Sequence, residues 1–485
     1  MPLNLLTAAV ATIAPALERV ASFDKKAFSA SQKAPPTNLD QVPFEGLKNW
    51  NWPERDCDAV RDSLFGQAAR RIPAEVPTWE QRMRLIEKAL KTYPGTRPPK
   101  WAAGQEIDSA LLREHIAWVV DHDLNSTGNP GFPLNSISTE IGKLALAERE
   151  FLIDVVCYRV HILAKANLGE MTPVQLVEGG FADMVRLFVK NEPHANKKKL
   201  SKRWRLISSM SLVDQIIDKL LYSDQNKVEI SLWEHLPSCP GIGFEDADLV
   251  KFHDRVLKSA GGDYNNIGAG DVQGFDWSVR EWELMDEALV RVALANAFGT
   301  VFDTLVTNRT TCVCRSLFAT EDGDVYAQTS GHYGVQKSGT VNTSSGNSRI
   351  RVMLAWLIGA DWAYAMGDDC LEQYTPDAAA KYEQYGHKLK FYEQCQNSFS
   401  FCSQMWSKSG AIPEDFTKSL YKLLSNKEVQ PNQMDGFLHN MRNIPELALV
   451  VRGLLDGWVK LSEGARFLLE SWQSEHDKKE QPENR

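Results

Sequence analysis

The chain is predicted to be α+β, with a central antiparallel sheet that carries acidic residues and a C-terminal end that is helical. Three observations lead there. First, Trp362, Tyr364 and Met366 alternate with Ala363 and Ala365, the period-two pattern of a strand, and Gly367-Asp368 supplies a tight hairpin turn. Second, Leu187-Phe-Val-Lys190 and Arg205-Leu-Ile207 read as strands on either side of a lysine- and arginine-rich loop. Third, from about residue 411 onward the pattern is helical and poor in strands.

The elements follow in order. Leu3 to Leu17 is apolar but lacks the basic flank of a secretion signal, which favours a capped core or interfacial helix over a weak signal sequence. Residues 24–45, rich in Lys, Ser and Pro, read as an extended connector. Several helical patterns fall between 60 and 175, interrupted by Ser126-Thr-Gly-Asn-Pro-Gly-Phe-Pro133, whose prolines and glycines require a loop. Ser209 or Ser211 caps a helix with Val213, Ile216, Ile217, Leu220 and Leu221 on one face. Asp271 ends a strand that begins at Ile267-Gly-Ala-Gly. A helix runs from Asn342 through Ile358, and another from Asp377 to Tyr385, with Thr375 as its cap, Pro376 at its first position and Gly386 closing it. Residues 474–485, charged and without apolar anchors, read as a frayed tail.

A chain of 485 residues is too long for one ordinary core, so two or three subdomains are expected. Its 43% apolar and 24% charged content is that of a folded protein, and no run of eighteen or more apolar residues is present to span a bilayer. The eight cysteines include no CxxC pair, which argues against a zinc ribbon or a thioredoxin-type site and for reduced thiols. Cys312 and Cys314 are expected on one side of a strand. The formal charge of −9 is unevenly spread, since Lys197, Lys198, Lys199, Lys202, Arg203 and Arg205 form a stretch without an acid. Screening confines the reach of distant acids to about 10 Å, so this patch acts on its own account.

Asp271 and Asp368 on adjacent strand ends, with Asp369 beside them, are candidate ligands for a pair of divalent ions. Phosphoryl transfer relies on such charge stabilisation, and Mg²⁺ favours a few carboxylates together with substrate phosphates. Ser338-Gly-Thr-Val-Asn-Thr343-Ser-Ser-Gly-Asn347-Ser348-Arg349 is a glycine-hinged loop running into a helix, dense in groups that hydrogen-bond a ribose. The loop between Lys190 and Arg205 suits an incoming triphosphate or a template backbone. Two cofactor motifs fail: Gln336 stands where a P-loop needs glycine, and Gly268-Ala-Gly270 lacks the third glycine of a dinucleotide fingerprint.

The order of these pieces resembles the RNA-dependent RNA polymerases of positive-strand RNA viruses, most closely the sobemovirus, polerovirus and barnavirus type. Asp271-x4-Asp276 resembles polymerase motif A, Ser338-Gly-x3-Thr343-x3-Asn347-Ser348 motif B, and Gly367-Asp368-Asp369 motif C. Phe188-Val-Lys190-Asn-Glu192-Pro-His194 with Arg203 and Arg205-Leu-Ile is similar to motif F, Gly131-Phe-Pro133 after Ser126-Thr127 to motif G, and Phe401-Cys-Ser-Gln404 to motif E, a structural hairpin. The resemblance covers roughly residues 125–410.

The resemblance implies a right-hand polymerase. Residues 1–210 would be fingers with an N-terminal extension, 211–311 and 336–410 the palm, 312–335 a fingers insertion, and 411–485 a thumb with a disordered tail. It implies Asp271 and Asp368 as metal ligands with Asp369 in support, and two Mg²⁺ (or Mn²⁺) ions. Asp276, Ser338 and Asn347 would select the ribose 2′-hydroxyl, with Thr343 ordering them, and Lys190 and Arg205 would contact the incoming nucleotide, with Arg203 as a neighbour. The motif D lysine is Lys388 or Lys390. The expected partners are an RNA template and product, NTPs, a genome-linked protein primer and other viral replication proteins, in host cytoplasm at membrane-associated replication complexes. Two rival readings have their own marks. A reverse-transcribing or DNA-templated enzyme would carry a small or aromatic gate in place of Asp276 and Asn347. A silent RNA-binding relative would have lost Asp271 or Asp368.

Overall fold

The computed structural model describes residues 16–22, 45–243, 245–426, 429–444 and 462–480. The fold is α+β. Four strands make the sheet that holds the acids, in the order Leu389–Gln394, Ile267–Val272, Asp369–Gln373, Ala363–Met366, each antiparallel to its neighbour. The hairpin forms as the alternation predicts: Asp369 pairs with Met366 across Gly367-Asp368, and Gly367 takes φ of +66°, where a side chain would be strained. Gly268 and Gly270 answer a different demand. The Tyr392 ring lies over them so closely that a Cβ at Gly268 would sit 2.5 Å from Tyr392 Oη, and only glycine admits this approach.

A second sheet has five strands, in the order Leu17–Ser22, Asp324–Gln328, Leu317–Ala319, Val185–Val189, Leu206–Ser209. Only Val185–Val189 and Leu317–Ala319 pair in parallel. The predicted basic loop therefore does hang between paired strands, although it is not structureless. His194–Ala195 pairs with Trp50–Asn51, and Asn196–Leu200 forms a short helix. A three-stranded sheet follows the acidic one, from Phe399–Phe401, Gln404–Ser407 and Gly410–Pro413. Its first turn has Cys402 and Ser403 at φ of 54° and 58°, a tight two-residue hairpin.

Helices bury most of the apolar surface. Leu212–Ser231, capped by Ser211, buries Val213, Ile216, Ile217, Leu220 and Leu221 against Ser109–His122, Arg149–Lys165 and Val301–Cys314. Thr343–Leu357 begins after Asn342 and packs beneath the acidic sheet. There Arg351 is wholly buried with Glu372 and Tyr382, and the Tyr382 hydroxyl donates to Glu372 at 2.5 Å. This cluster ties the helix, the Asp369–Gln373 strand and the Ala378–Gln384 helix together.

Three expectations are corrected. Cys312 and Cys314 lie on the Val301–Cys314 helix, not on a strand, because Val301, Phe302, Leu305, Val306 and Cys312 recur at helical spacing and are buried together. None of the eight cysteines, all of them among the described residues, is in a disulfide. Thr375 does not cap the next helix. Its N–H donates to Tyr392 Oη at 3.0 Å and its hydroxyl to the Gln373 carbonyl, so it is spent on the sheet, and the helix starts at Ala378. The tail expected to fray over 474–485 is helical as far as Glu480, since the helix Glu463–Glu480 runs through 474–480, and residues 481–485 lie outside the described residues. Leu469 and Trp472 anchor the helix, and the Glu and Lys residues that follow are good helix formers. The apolar stretch Leu3 to Leu17 lies outside the described residues except at its end, where Leu17 opens a strand. The connector 24–45 lies outside them up to residue 44.

Among the described residues no helix is long and apolar enough to cross a membrane.

Candidate active site

The register of the acidic sheet brings the predicted carboxylates together. Cys370 pairs with Gly270, so the next step of the same register sets Asp369 beside Asp271, and Asp368 occupies the turn just beyond. The consequence is electrostatic. Asp369 is pushed up to about 7, first by loss of water and then by Asp368 and Asp271. Asp368 is also raised, by desolvation in the cleft and by the charges of Asp276 and Asp271. Among the described residues no three His, Cys, Asp or Glu side chains already close around a common point. Instead Asp271 Oδ2 accepts a 2.6 Å bond from Lys390 Nζ. Of the two lysines the sequence left open, Lys390 therefore reaches the acids, whereas Lys388 is exposed and contributes its carbonyl to Gln273 N–H. The donor set fits a divalent cation: it is made of hard carboxylate oxygens whose negative charge the protein leaves largely uncompensated.

Asp276 has a different environment. It lies on a short helix, Phe275–Ser278, entered through Gly274 at φ of +64°. The Ser338 hydroxyl donates to one carboxylate oxygen and Asn347 Nδ2 to the other at 2.8 Å. Because a carboxylate only accepts, the amide nitrogen of Asn347 must face it, and Asn347 Oδ1 is then left buried without a partner among the described residues. A buried amide oxygen of this kind is chemically suited to a hydroxyl or amine donor. Burial raises Asp276, and Ser338 and Asn347 work against that rise. The Thr343 hydroxyl donates toward the Lys337 and Thr340 carbonyls and accepts from Gly339 N–H at 3.2 Å, which ties the loop together. Ser348 Oγ accepts from Gly367 N–H at 2.9 Å, which couples this helix to the acidic turn.

The basic side meets the same cleft. Ser208 N–H donates to the Ser338 carbonyl at 2.9 Å, and the charges of Arg205 and Lys190 act on Asp276. Lys190 and Arg205 share the Glu192 carboxylate, at 3.3 and 3.2 Å. Arg203 lies off this group, its side chain against Gly66. His194 is buried with Nδ1 toward the Glu192 carbonyl, while Nε2 takes the Arg205 N–H at 3.3 Å, which fixes one neutral tautomer.

Two contributors escaped sequence reasoning. Arg71, from the end of the Cys57–Ala68 helix, donates to the carbonyls of Trp277 (2.7 Å), Val279 and Tyr333, and so holds the segment after Asp276 to the segment before Ser338. Lys337 is buried with its ammonium on the Gly334 and Val335 carbonyls at 2.9 and 2.8 Å, and burial lowers it to about 7. Nothing local in the sequence separates either residue from a surface cation.

Comparison with known proteins identifies the family. The family model described as viral RNA-directed RNA-polymerase matches residues 24–249 and 258–404. Replicase polyprotein P2AB of Southern bean mosaic virus is 35% identical over 393 residues, which cover 79% of this chain and 40% of that protein. Protein P1-P2 of Turnip yellows virus is 34% identical over 445 residues, covering 83% and 41%, and Protein P1-P2 of Potato leafroll virus 36% over 398 residues, covering 77% and 36%. The chain thus spans about two fifths of the length of the curated relatives it matches. Both the matched span and the relatives bear out the resemblance read from the motifs, and the chain belongs to the viral RNA-directed RNA polymerase family.

Proposed function

We propose that the chain copies RNA into RNA for the replication of a positive-strand RNA virus, joining a nucleoside triphosphate to an RNA 3′-hydroxyl with release of pyrophosphate. The observation that carries this is the Asp276–Ser338–Asn347 network, with Asn347 Oδ1 unpartnered among the described residues and the charge of Asp276 acting on Asp368. An acceptor poised there suits the 2′-hydroxyl that distinguishes a ribonucleotide, which is both donor and acceptor. It also argues against a DNA-making relative, which would carry a small or aromatic gate at that position.

Asp271, Asp368 and Asp369 would hold two divalent ions, Mg²⁺ or Mn²⁺. When bound, such ions lower the pKa of the attacking hydroxyl and neutralise the leaving pyrophosphate. The protein's own groups do the rest. Lys190 and Arg205 orient the triphosphate, with Arg205 suited by its planar fork to phosphate oxygens. Lys390 leaves Asp271 and stands within reach of the pyrophosphate as a proton donor. Ser338 and Asn347 hold Asp276 so that the ribose is read in one orientation.

In this reading the acidic sheet and its helices, residues 211–311 and 336–410, are the palm. Residues 1–210 and 312–335 are fingers, and 411–485 the thumb. A genome-linked protein primer and other replication proteins would act with it, at membrane-associated complexes in host cytoplasm. The test is template dependence. Given a single-stranded RNA of defined sequence and the four NTPs one at a time, the purified chain is expected to add only the complementary nucleotide. Addition regardless of template, or a preference for DNA, would overturn the reading.

A further inference from the structure

Lys418 lies beyond the span matched by the family model, on the Thr417–Leu424 helix, yet its ammonium stands 3.4 Å from Glu192 Oε1. Glu192 thus carries three cations at once: Lys190, Arg205 and Lys418. One carboxylate does not balance them. The three together hold Glu192 down at about 2, against a burial effect in the other direction. All three cations keep part of their surface open, at 38%, 53% and 35% of the side chain, while Glu192 keeps 15%.

The position of Lys418 is built, not incidental. Trp50 Nε1 donates to Thr417 Oγ1 at 2.7 Å, and the Lys418 ammonium lies 6.0 Å from the centre of the Trp50 ring. Trp52 Nε1 donates at 2.9 Å to Oγ of Ser425, which caps the end of the same helix, and Leu47 is buried among Leu420, Leu424 and Phe437. The same short segment is hydrogen-bonded as a strand to the basic loop, Trp50 to Ala195 and Asn51 to His194. Residues 45–52 therefore clasp the C-terminal helices to the loop that carries Glu192, and they set Lys418 against it.

We propose that Lys418 is a third cationic contact for the triphosphate of the incoming nucleotide, with Glu192 keeping the three cations gathered until that anion arrives. Lys418 would then be a nucleotide-positioning residue contributed by the C-terminal helices, so that their docking is sensed as nucleotide affinity. The inference rests on the polymerase reading for its substrate.

The experiment uses the full chain and the variants Lys418→Gln and Lys418→Arg. Two quantities are measured: the KM for a single complementary NTP on a primed RNA template, and binding of inorganic tripolyphosphate by calorimetry. Thermal midpoint and RNA affinity serve as controls. Loss of one charge-assisted contact is expected to weaken both tripolyphosphate binding and KM by about tenfold in Lys418→Gln, with kcat within about twofold, and Lys418→Arg should restore most of it. If Lys418→Gln leaves KM and tripolyphosphate affinity unchanged, whether or not its thermal midpoint falls, the lysine is only a staple and the proposal is overturned. The binding arm requires no turnover. A wild type that binds tripolyphosphate through Lys418 but incorporates nothing would contradict the polymerase reading while supporting the lysine's role.

Discussion

Replacing Asn347 by alanine isolates the feature that makes this cleft specific. The side chain does two things: Nδ2 donates to Asp276 at 2.8 Å, and Oδ1 is a buried acceptor with no partner among the described residues. A hydrogen bond that involves a charged group contributes about 1.5–3 kcal/mol. A buried acceptor left without its ligand's hydroxyl is penalised to a similar degree. A ribonucleotide satisfies Oδ1 and a deoxynucleotide does not, so the wild type should prefer the former by at least this much through Asn347. Removing the amide should reduce the ratio of ribonucleotide to deoxynucleotide kcat/KM by about 10- to 100-fold, since each 1.4 kcal/mol is about a factor of ten. Most of the change should fall on the ribonucleotide. Asn347→Asp keeps an acceptor but sets a second carboxylate against Asp276, and should relax the ratio as well. The assay is single-nucleotide extension of a primed RNA with matched NTP and dNTP, with far-UV circular dichroism to confirm the fold. An Asn347→Ala protein that is folded, active and unchanged in this ratio would refute the assignment of Oδ1 to the ribose.

Arg71→Met should lower stability by about 2–4 kcal/mol, read from denaturant midpoints, because three backbone carbonyls of the segments around Asp276 and Ser338 lose their donor; an unchanged midpoint would show that water replaces it without loss. Lys390→Gln should reduce kcat by tenfold or more with little change in KM, while Lys388→Gln stays near wild type, since only Lys390 reaches Asp271; equal effects of the two would remove that distinction. Burial lowers His194 from its ordinary value near 6.5 to about 4 in the folded protein. The unfolded chain therefore binds the extra proton first, and stability should fall as pH drops from about 6.5 to about 4. His194→Gln should flatten that part of the stability–pH curve, and a curve of the same slope would place the titration elsewhere.

The parts of the fold that were legible in the sequence are those set by local chemistry. Period-two alternation and a Gly-Asp turn located the Ala363–Met366 hairpin, and Ser211 ahead of a helical stripe located the Leu212–Ser231 helix. The site was legible because spaced acids, hydroxyls and amides keep their type and order: Asp276, Ser338 and Asn347 do meet, and so do Asp271 and Asp369 across one register. What was not legible depends on tertiary partners. Thr375 had the right spacing for a cap, but Tyr392 took its N–H. The i, i+2 spacing of Cys312 and Cys314 fits one side of a strand, and only the apolar stripe ahead of them, at helical spacing, decides for the helix. The Ile267-Gly-Ala-Gly run gave no hint of its reason, the Tyr392 ring, which is contributed by a distant strand. Neither Arg71 nor Lys418 carries a local signal, since each acts on groups far away in the chain.

The most direct test of the account is incorporation of a labelled NTP on a single-stranded RNA template with Mg²⁺ or Mn²⁺, wild type beside Asp368→Ala. Asp368 occupies the hairpin turn of the cleft and keeps open surface there, so its loss should leave the fold and thermal midpoint intact. The account requires template-complementary product from the wild type and a loss of at least a thousandfold in the variant. A folded Asp368→Ala protein that extends RNA at a rate near wild type would contradict it.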